Sequence, residues 1–274
     1  MPASSARIIS GFNRIGVPEV HLRKVRPVHL PYIYGDFQEV VGARLALITG
    51  NDAQSAELRR FFEYVLTEID ADEYRRVQLH YLDPGVVDPD ADIVKYLDPV
   101  MWFESKLRLA QSLGLDKKPP MRILDLGTGP GHFPFVARFY GHDVTGTDLP
   151  ARTRGVEQSG HIYDALCAIY RVKRIGNEIK PNAKLEGLGG RYDMVTAFLA
   201  AFNVDEDKKP WSVDHWRFFL KSLRADVLND GGVLFMTLAD GKLTPQSWSY
   251  LVSLSDRSIE KSKQIQISKF DAVG

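Results

Sequence analysis

The chain has 274 residues, with 44% hydrophobic and 26% charged side chains, 35 basic against 35 acidic groups, and a single cysteine. That length buries one large core, or one core with an appendage, and the composition is that of an ordinary globular chain. Balanced charge leaves no basic surplus for nucleic acid. One cysteine, Cys167, allows no internal disulfide and fits a reducing compartment. No apolar run approaches the roughly 18 residues of a membrane span, so a soluble, cytoplasmic protein is expected.

Met1 to Arg7 lacks the continuous apolar segment of a secretory leader. Residues 1–97 are expected to form a mainly helical extension. Within it, Ala53 to Leu82 reads as one helix with Leu58, Phe61, Phe62, Val65, Leu66 and Ile69 on its apolar face. Pro84 and Pro89 separate it from the next element. The extension suits a cap over a site better than a dimerisation arm, although a homodimer through it stays open. Asp98 and Pro99 form a good helix start, and Met101, Trp102, Leu109 and Leu113 line one face up to Gly114.

A strand follows and ends Ile123-Leu124-Asp125-Leu126. It opens at once into Gly127-Thr128-Gly129-Pro130-Gly131, where glycines accept positive φ and let a ligand reach the backbone. His132 to Tyr140 reads as a helix whose first free N–H groups face that turn. His142 to Thr147 is a second strand, ending at Asp148. A helix from Val156 to Tyr170 carries Ile162, Leu166 and Ile169, with Cys167 as a packed thiol. Arg171, Lys173, Arg174 and Lys180 then read as a solvated strand edge. A third strand is expected near Val172 to Ile179, a fourth at Tyr192 to Phe198, a helix from Val213 to Leu228, and a glycine-rich stop at Asn229 to Gly232. Val233 to Leu238 is the fifth strand, Thr244 to Leu254 a helix, and Gln264 to Phe270 a strand with only Ser258 to Lys261 left to pair with it. The alternation predicts an α/β, doubly wound, mostly parallel Rossmann-like sheet with a helical N-terminal cap.

The glycine spacing narrows the ligand. Dinucleotide sites use G-x-G-x-x-G with the pyrophosphate on the helix N-terminus, whereas this turn reads D-x-G-x-G-x-G. Asp125 would repel a pyrophosphate and suits an ammonium. Together with Val144-Thr145-Gly146-Thr147-Asp148, the turn resembles the first two motifs of the class I S-adenosylmethionine (SAM) dependent methyltransferases. The resemblance implies that the sheet is seven-stranded, with a shortened C-terminal hairpin, and that residues 98–274 are the methyltransferase domain, with SAM as cofactor and S-adenosylhomocysteine (SAH) as product. It implies that Asp125 and the backbone at Gly127, Thr128, Gly129, Pro130 and Gly131 hold the methionyl part, and Asp148 the ribose. Leu149, Glu178 and Ile179 become adenine contacts, and Phe198 a further cofactor neighbour.

Ligands of open α/β sheets bind at the carboxyl ends of the strands, so the acceptor belongs near Ala197 to Asn203. That stretch lacks the Asn/Asp-Pro-Pro-Tyr/Phe tetrad of enzymes that methylate nucleic-acid bases. It also lacks the ligand set with which catechol-type enzymes hold magnesium, so no metal is expected. A small-molecule acceptor methylated on oxygen, a metabolite or sugar-like compound, is the expectation. Phe202, Asn203, Trp211 and Trp102 are its candidate contacts, and His215 and His132 the candidate bases. Two other readings stay open: a non-catalytic SAM-binding protein, and a nucleotide-dependent dehydrogenase.

Overall fold

A computed structural model describes residues 33–83, 92–149, 157–200, 202–205, 207–239 and 241–270. The leader reading at residues 1–7, the interruption at Pro84 and Pro89, and the start of the helix at Val156 lie outside them. Seven strands form one sheet in the order β3-β2-β1-β4-β5-β7-β6. They are β1 (Arg122–Leu126), β2 (Asp143–Asp148), β3 (Lys173–Gly176), β4 (Tyr192–Phe198), β5 (Leu228–Thr237), β6 (Arg257–Ile259) and β7 (Gln264–Ile267). β3, β2, β1, β4 and β5 run parallel, with Asp125 opposite Gly146 on one side and Thr196 on the other. β7 pairs antiparallel with both β5 and β6. The expected C-terminal hairpin is therefore complete, but its strands are three and four residues long.

Side-chain alternation sorts the sheet into two faces. Ile123 packs into one core with Phe103, Phe135, Val136, Ile162 and Tyr170. Leu124 and Leu126 enter the other, with Val195, Trp211, Trp216, Phe219 and Leu251. The first face is covered by α4 (Pro99–Ser112), α5 (His132–Phe139) and α6 (Glu157–Ile169), the second by α7 (Val213–Ser222) and α8 (Pro245–Leu254). By strand parity Asp125 shares its face with Ile123, on the side of α4 and α5.

Upstream, α1 (Phe37–Ala46), α2 (Ala53–Glu68) and α3 (Ala71–Leu82) join the first core through Phe37, Val41, Phe61, Phe62, Val65 and Tyr74. The single helix expected from Ala53 to Leu82 is thus two. Asp70 accepts a hydrogen bond from the Glu73 backbone N–H at 2.9 Å, capping α3, and Ile69 before it is extended. The helix after β4 also stops earlier than expected. A π turn (Leu223–Val227) follows Ser222, and β5 begins at Leu228. Asn229 to Gly232 form a bulge inside β5, because Tyr192 pairs with Leu228 while Met194 pairs with Val233. Asp193 holds that bulge: its carboxylate accepts from Asn229 Nδ2 and from the Arg122 backbone N–H, both at 2.8 Å.

Candidate active site

A cleft of about 680 Å³ opens at the carboxyl ends of β1, β2 and β4, within the usual range for small-molecule sites. The glycine turn shapes its floor. Gly127, Gly129 and Gly131 have φ of +69°, +55° and +85°, a region costly for residues with a Cβ. A Cβ on Gly127 would lie 2.5 Å from that of Ala200, whereas one on Gly129 would meet nothing within 4 Å. The space beside Gly129 is therefore open to the cleft, so a ligand there meets bare backbone. Gly131 is the first turn residue turned away from the cleft; it caps α5 and backs onto Cys167.

Asp148 fastens this turn to the end of β2. Its Oδ2 accepts from the Gly129 N–H at 2.8 Å and its Oδ1 from the Leu149 N–H at 2.7 Å, while Arg174 stands 3.9 Å away. Asp125 is buried, and burial raises its carboxyl to about 6, against the hydrogen bond from Thr196 and the charge of Lys106. The Thr196 hydroxyl donates to Asp125 Oδ1 at 2.7 Å.

Lys106 is the group the sequence reading missed. It projects from α4 one turn after Trp102, so the two share a helix face. Its ammonium lies 5.3 Å over the Phe198 ring and 5.9 Å over that of Trp102. Burial lowers its pKa, opposed by the charge of Asp125. Among the described residues it forms no ion pair. The cleft thus carries an anionic and a cationic side chain on one wall beside open backbone.

Most expected site residues meet there. Asp125, Gly127, Thr128, Gly129, Pro130, Asp148, Leu149, Glu178, Ile179, Phe198, Phe202, Trp102 and His132 all line the cleft. Glu178 and Ile179 do so from a loop, since β3 ends at Gly176, short of the expected Ile179. Tyr96, Tyr163, Asn177, Leu199 and Asp205 line it as well. Tyr96 is the contribution of the first 97 residues among those described; α1 to α3 pack behind α4 and α6 and do not roof the cleft.

Three expectations are corrected. His215 lies outside the cleft wall and closes a capping box with Ser212 at the start of α7. Trp211 is fully buried in the second core against Trp216 and Phe219. Asn203 is buried too, with its amide donating to the Lys242 carbonyl. His132 reaches the wall, but as a buried neutral ring. Burial, then the charge of Lys106, lowers its pKa to about 3, and the Tyr170 hydroxyl sits 3.3 Å from its Nε2. A base that far below operating pH takes a proton poorly. Its ring instead stacks on Trp102 at 5.7 Å.

The parallel strands in this order, the reversed seventh strand and the glycine turn form a Rossmann-like α/β sheet, the architecture expected from the sequence. No protein-family model and no curated protein matches the chain. Solved structures do. The glycopeptide N-methyltransferase MtfA is 19% identical over 50% of this chain and 53% of that one, with a TM-score of 0.36. Ribosomal protein L11 methylase from Lactobacillus delbrueckii subsp. bulgaricus is 20% identical over 59% and 76%, with a TM-score of 0.37. SAM-bound CalS10, an amino pentose methyltransferase from Micromonospora echinaspora, is 21% identical over 50% and 51%, with a TM-score of 0.34. The match thus spans about half the length of MtfA and of CalS10. At these identities and TM-scores the likenesses carry no argument, and the chemistry has to be read from this chain's own residues. Among the described residues no helix is long and apolar enough to cross a membrane.

Proposed function

We propose that this chain is a SAM-dependent methyltransferase acting on an oxygen of a small-molecule acceptor, with residues 98–274 as the catalytic unit and 1–97 as its extension. The observation that carries the reading is the pairing of Asp125 and Lys106 in one cleft wall beside the open backbone at Gly129. An amino-acid tail bears an ammonium and a carboxylate on the same carbon, and a fixed anion and cation match both. Asp125 takes the ammonium and Lys106 the carboxylate. Asp148 takes the ribose, and Leu149, Glu178 and Ile179 flank the adenine.

When bound, the sulfonium of SAM supplies a methyl carbon already activated for in-line attack by an acceptor lone pair. The chain's residues align the two partners and exclude water. The His132 ring is a weak base, its pKa lowered by burial and by the charge of Lys106, and His215 lies outside the cleft, so neither histidine is given the acceptor proton. The transfer then rests on proximity: the acceptor oxygen forms its bond to the methyl carbon as the carbon–sulfur bond breaks, and its proton passes to solvent as the product leaves.

Incubation with methyl-labelled SAM and a metabolite extract tests the proposal. Label on a small molecule is the expected result. Tight SAH binding with no labelled product would favour the non-catalytic reading instead.

A further inference from the structure

Leu199, the first residue after β4, departs from two local rules at once. Among the described residues other than glycine, positive φ falls on the polar Arg171, Asn182, Lys208 and Lys263, and on Leu199 at +56°. There a Cβ crowds the following carbonyl, so the position favours glycine or asparagine. Leu199 is also 45% exposed while it lines the cleft, so about half of its apolar surface is left in water. A strained residue persists where its surroundings hold it, and such residues gather at ligand sites. Here the Leu199 N–H donates to the Thr237 carbonyl of β5 at 2.8 Å, and the next residue, Ala200, packs on Gly127. Those two anchors set the exposed leucine at the lip where the glycine floor gives way to the loop after β4. Phe202 and Val204 continue that wall and Asp205 ends it, its Oδ1 accepting from the Lys209 N–H at 2.8 Å. From Leu199 to Asp205 the cleft-lining side chains offer hydrocarbon and one carboxylate, with no cation and no hydrogen-bond donor.

We propose that Leu199 is a specificity-determining residue that seats the hydrocarbon face of the acceptor, and that the acceptor is a compact, uncharged alcohol rather than a polyol or an acid. This rests on reading the cleft as a methyl-transfer site, and it narrows the acceptor class within that reading. An apolar face laid on Leu199 removes from water the surface that the leucine now exposes. A polyol on the same wall would bury hydroxyls without partners, and an acid would meet Asp205. Glycine would relieve the backbone at this position and asparagine would tolerate it, but neither carries an apolar surface.

The test uses the full chain carrying methyl-labelled alanine, with the Ala200 resonance assigned from Ala200→Ser. In the SAH-saturated protein that line should shift and saturate on titration with cyclohexanol. It should stay in place with myo-inositol, the same ring with a hydroxyl on every carbon. In Leu199→Ala half-saturation by cyclohexanol should rise roughly three- to tenfold, the weight of burying about half a leucine side chain. Leu199→Met, apolar and of similar volume, should stay within about twofold of wild type. Leu199→Asn, which suits the positive φ, should lose cyclohexanol as Leu199→Ala does and melt within a few degrees of wild type, so that the loss is local to the wall. An Ala200 line indifferent to cyclohexanol, or one that answers myo-inositol as well, overturns the acceptor class, and the wild-type pair of titrations decides this without any variant. Cyclohexanol binding unchanged in both Leu199→Ala and Leu199→Asn overturns the role of Leu199. If SAH does not bind, the methyltransferase reading falls separately, and the same titrations of the ligand-free protein still decide whether the wall prefers the apolar alcohol.

Discussion

Replacing Lys106 with methionine removes one charge from the cleft and keeps most of the apolar stem. The ammonium has no anionic partner within ion-pair distance among the described residues, and burial already holds its pKa down. Its removal therefore relieves a desolvation cost in the ligand-free protein, and Lys106→Met should be no less stable than wild type. Binding should behave differently. A hydrogen bond to a charged group is worth about 1.5 to 3 kcal/mol, which corresponds to roughly a 10- to 150-fold weaker Kd for SAH. Coulomb attraction at 4 Å and an effective dielectric of 20 has an upper scale of about 4 kcal/mol, so desolvation leaves that range reasonable. Calorimetric titrations should compare SAH with methylthioadenosine, which keeps the adenosine and sulfur but lacks the amino-acid tail. The variant should lose affinity for SAH and bind methylthioadenosine within about twofold of wild type, because only the tail faces Lys106. Equal losses for both ligands, or no loss for SAH, would refute the assignment of the tail to this wall.

Asp148→Ala should weaken SAH binding by roughly ten- to a hundredfold, the loss of a charged acceptor. It should also lower Tm, because it frees the Gly129 and Leu149 N–H groups that Asp148 now binds. Burial raises Asp125 from 3.8 to about 6, so its contribution to stability is fully present below about pH 4 and is lost as pH rises through 6. Relative to Asp125→Asn, urea denaturation of the ligand-free wild type should therefore lose about 2 kcal/mol between pH 4 and 7. SAH binding should show the opposite trend, weakening about tenfold per pH unit below 6 as protons compete for Asp125, and Asp125→Asn should flatten that dependence. His215→Ala should leave turnover within about twofold of wild type and cost about 1 kcal/mol of stability through the lost cap, seen as a Tm lower by a few degrees. A turnover loss that shrinks with rising pH would return His215 to the role of base.

The alternation of strands and helices and the glycine turn were legible because they depend on local signals. An apolar strand that ends at Asp125, three glycines at alternate positions and a second strand that ends at Asp148 state their geometry in a few consecutive residues. The break between α2 and α3 was hidden because the apolar stripe of Phe61, Phe62, Val65 and Ile69 runs up to it, and only the capping behaviour of Asp70 reveals it. The bulge in β5 was hidden for a related reason: Gly231 and Gly232 serve a helix end and a strand irregularity equally well. At the site, the failures concern direction rather than position in the chain. Trp211, Asn203 and His215 all follow β4, as acceptor contacts should, yet Trp211 points into the second core, Asn203 donates to the Lys242 carbonyl and His215 turns back on Ser212. Lys106 lay four residues after a residue already chosen for the cleft, on the same helix face, and that spacing was the signal that could have found it.

The most direct test is a pair of calorimetric titrations of the purified chain, one with SAH and one with NAD. SAH should bind with measurable heat and raise Tm, since a ligand confined to the native state adds about 2.7 kcal/mol at a hundredfold excess over Kd, whereas NAD should do neither. Heat and a thermal shift with NAD, and none with SAH, would contradict the account and assign the glycine turn to a dinucleotide.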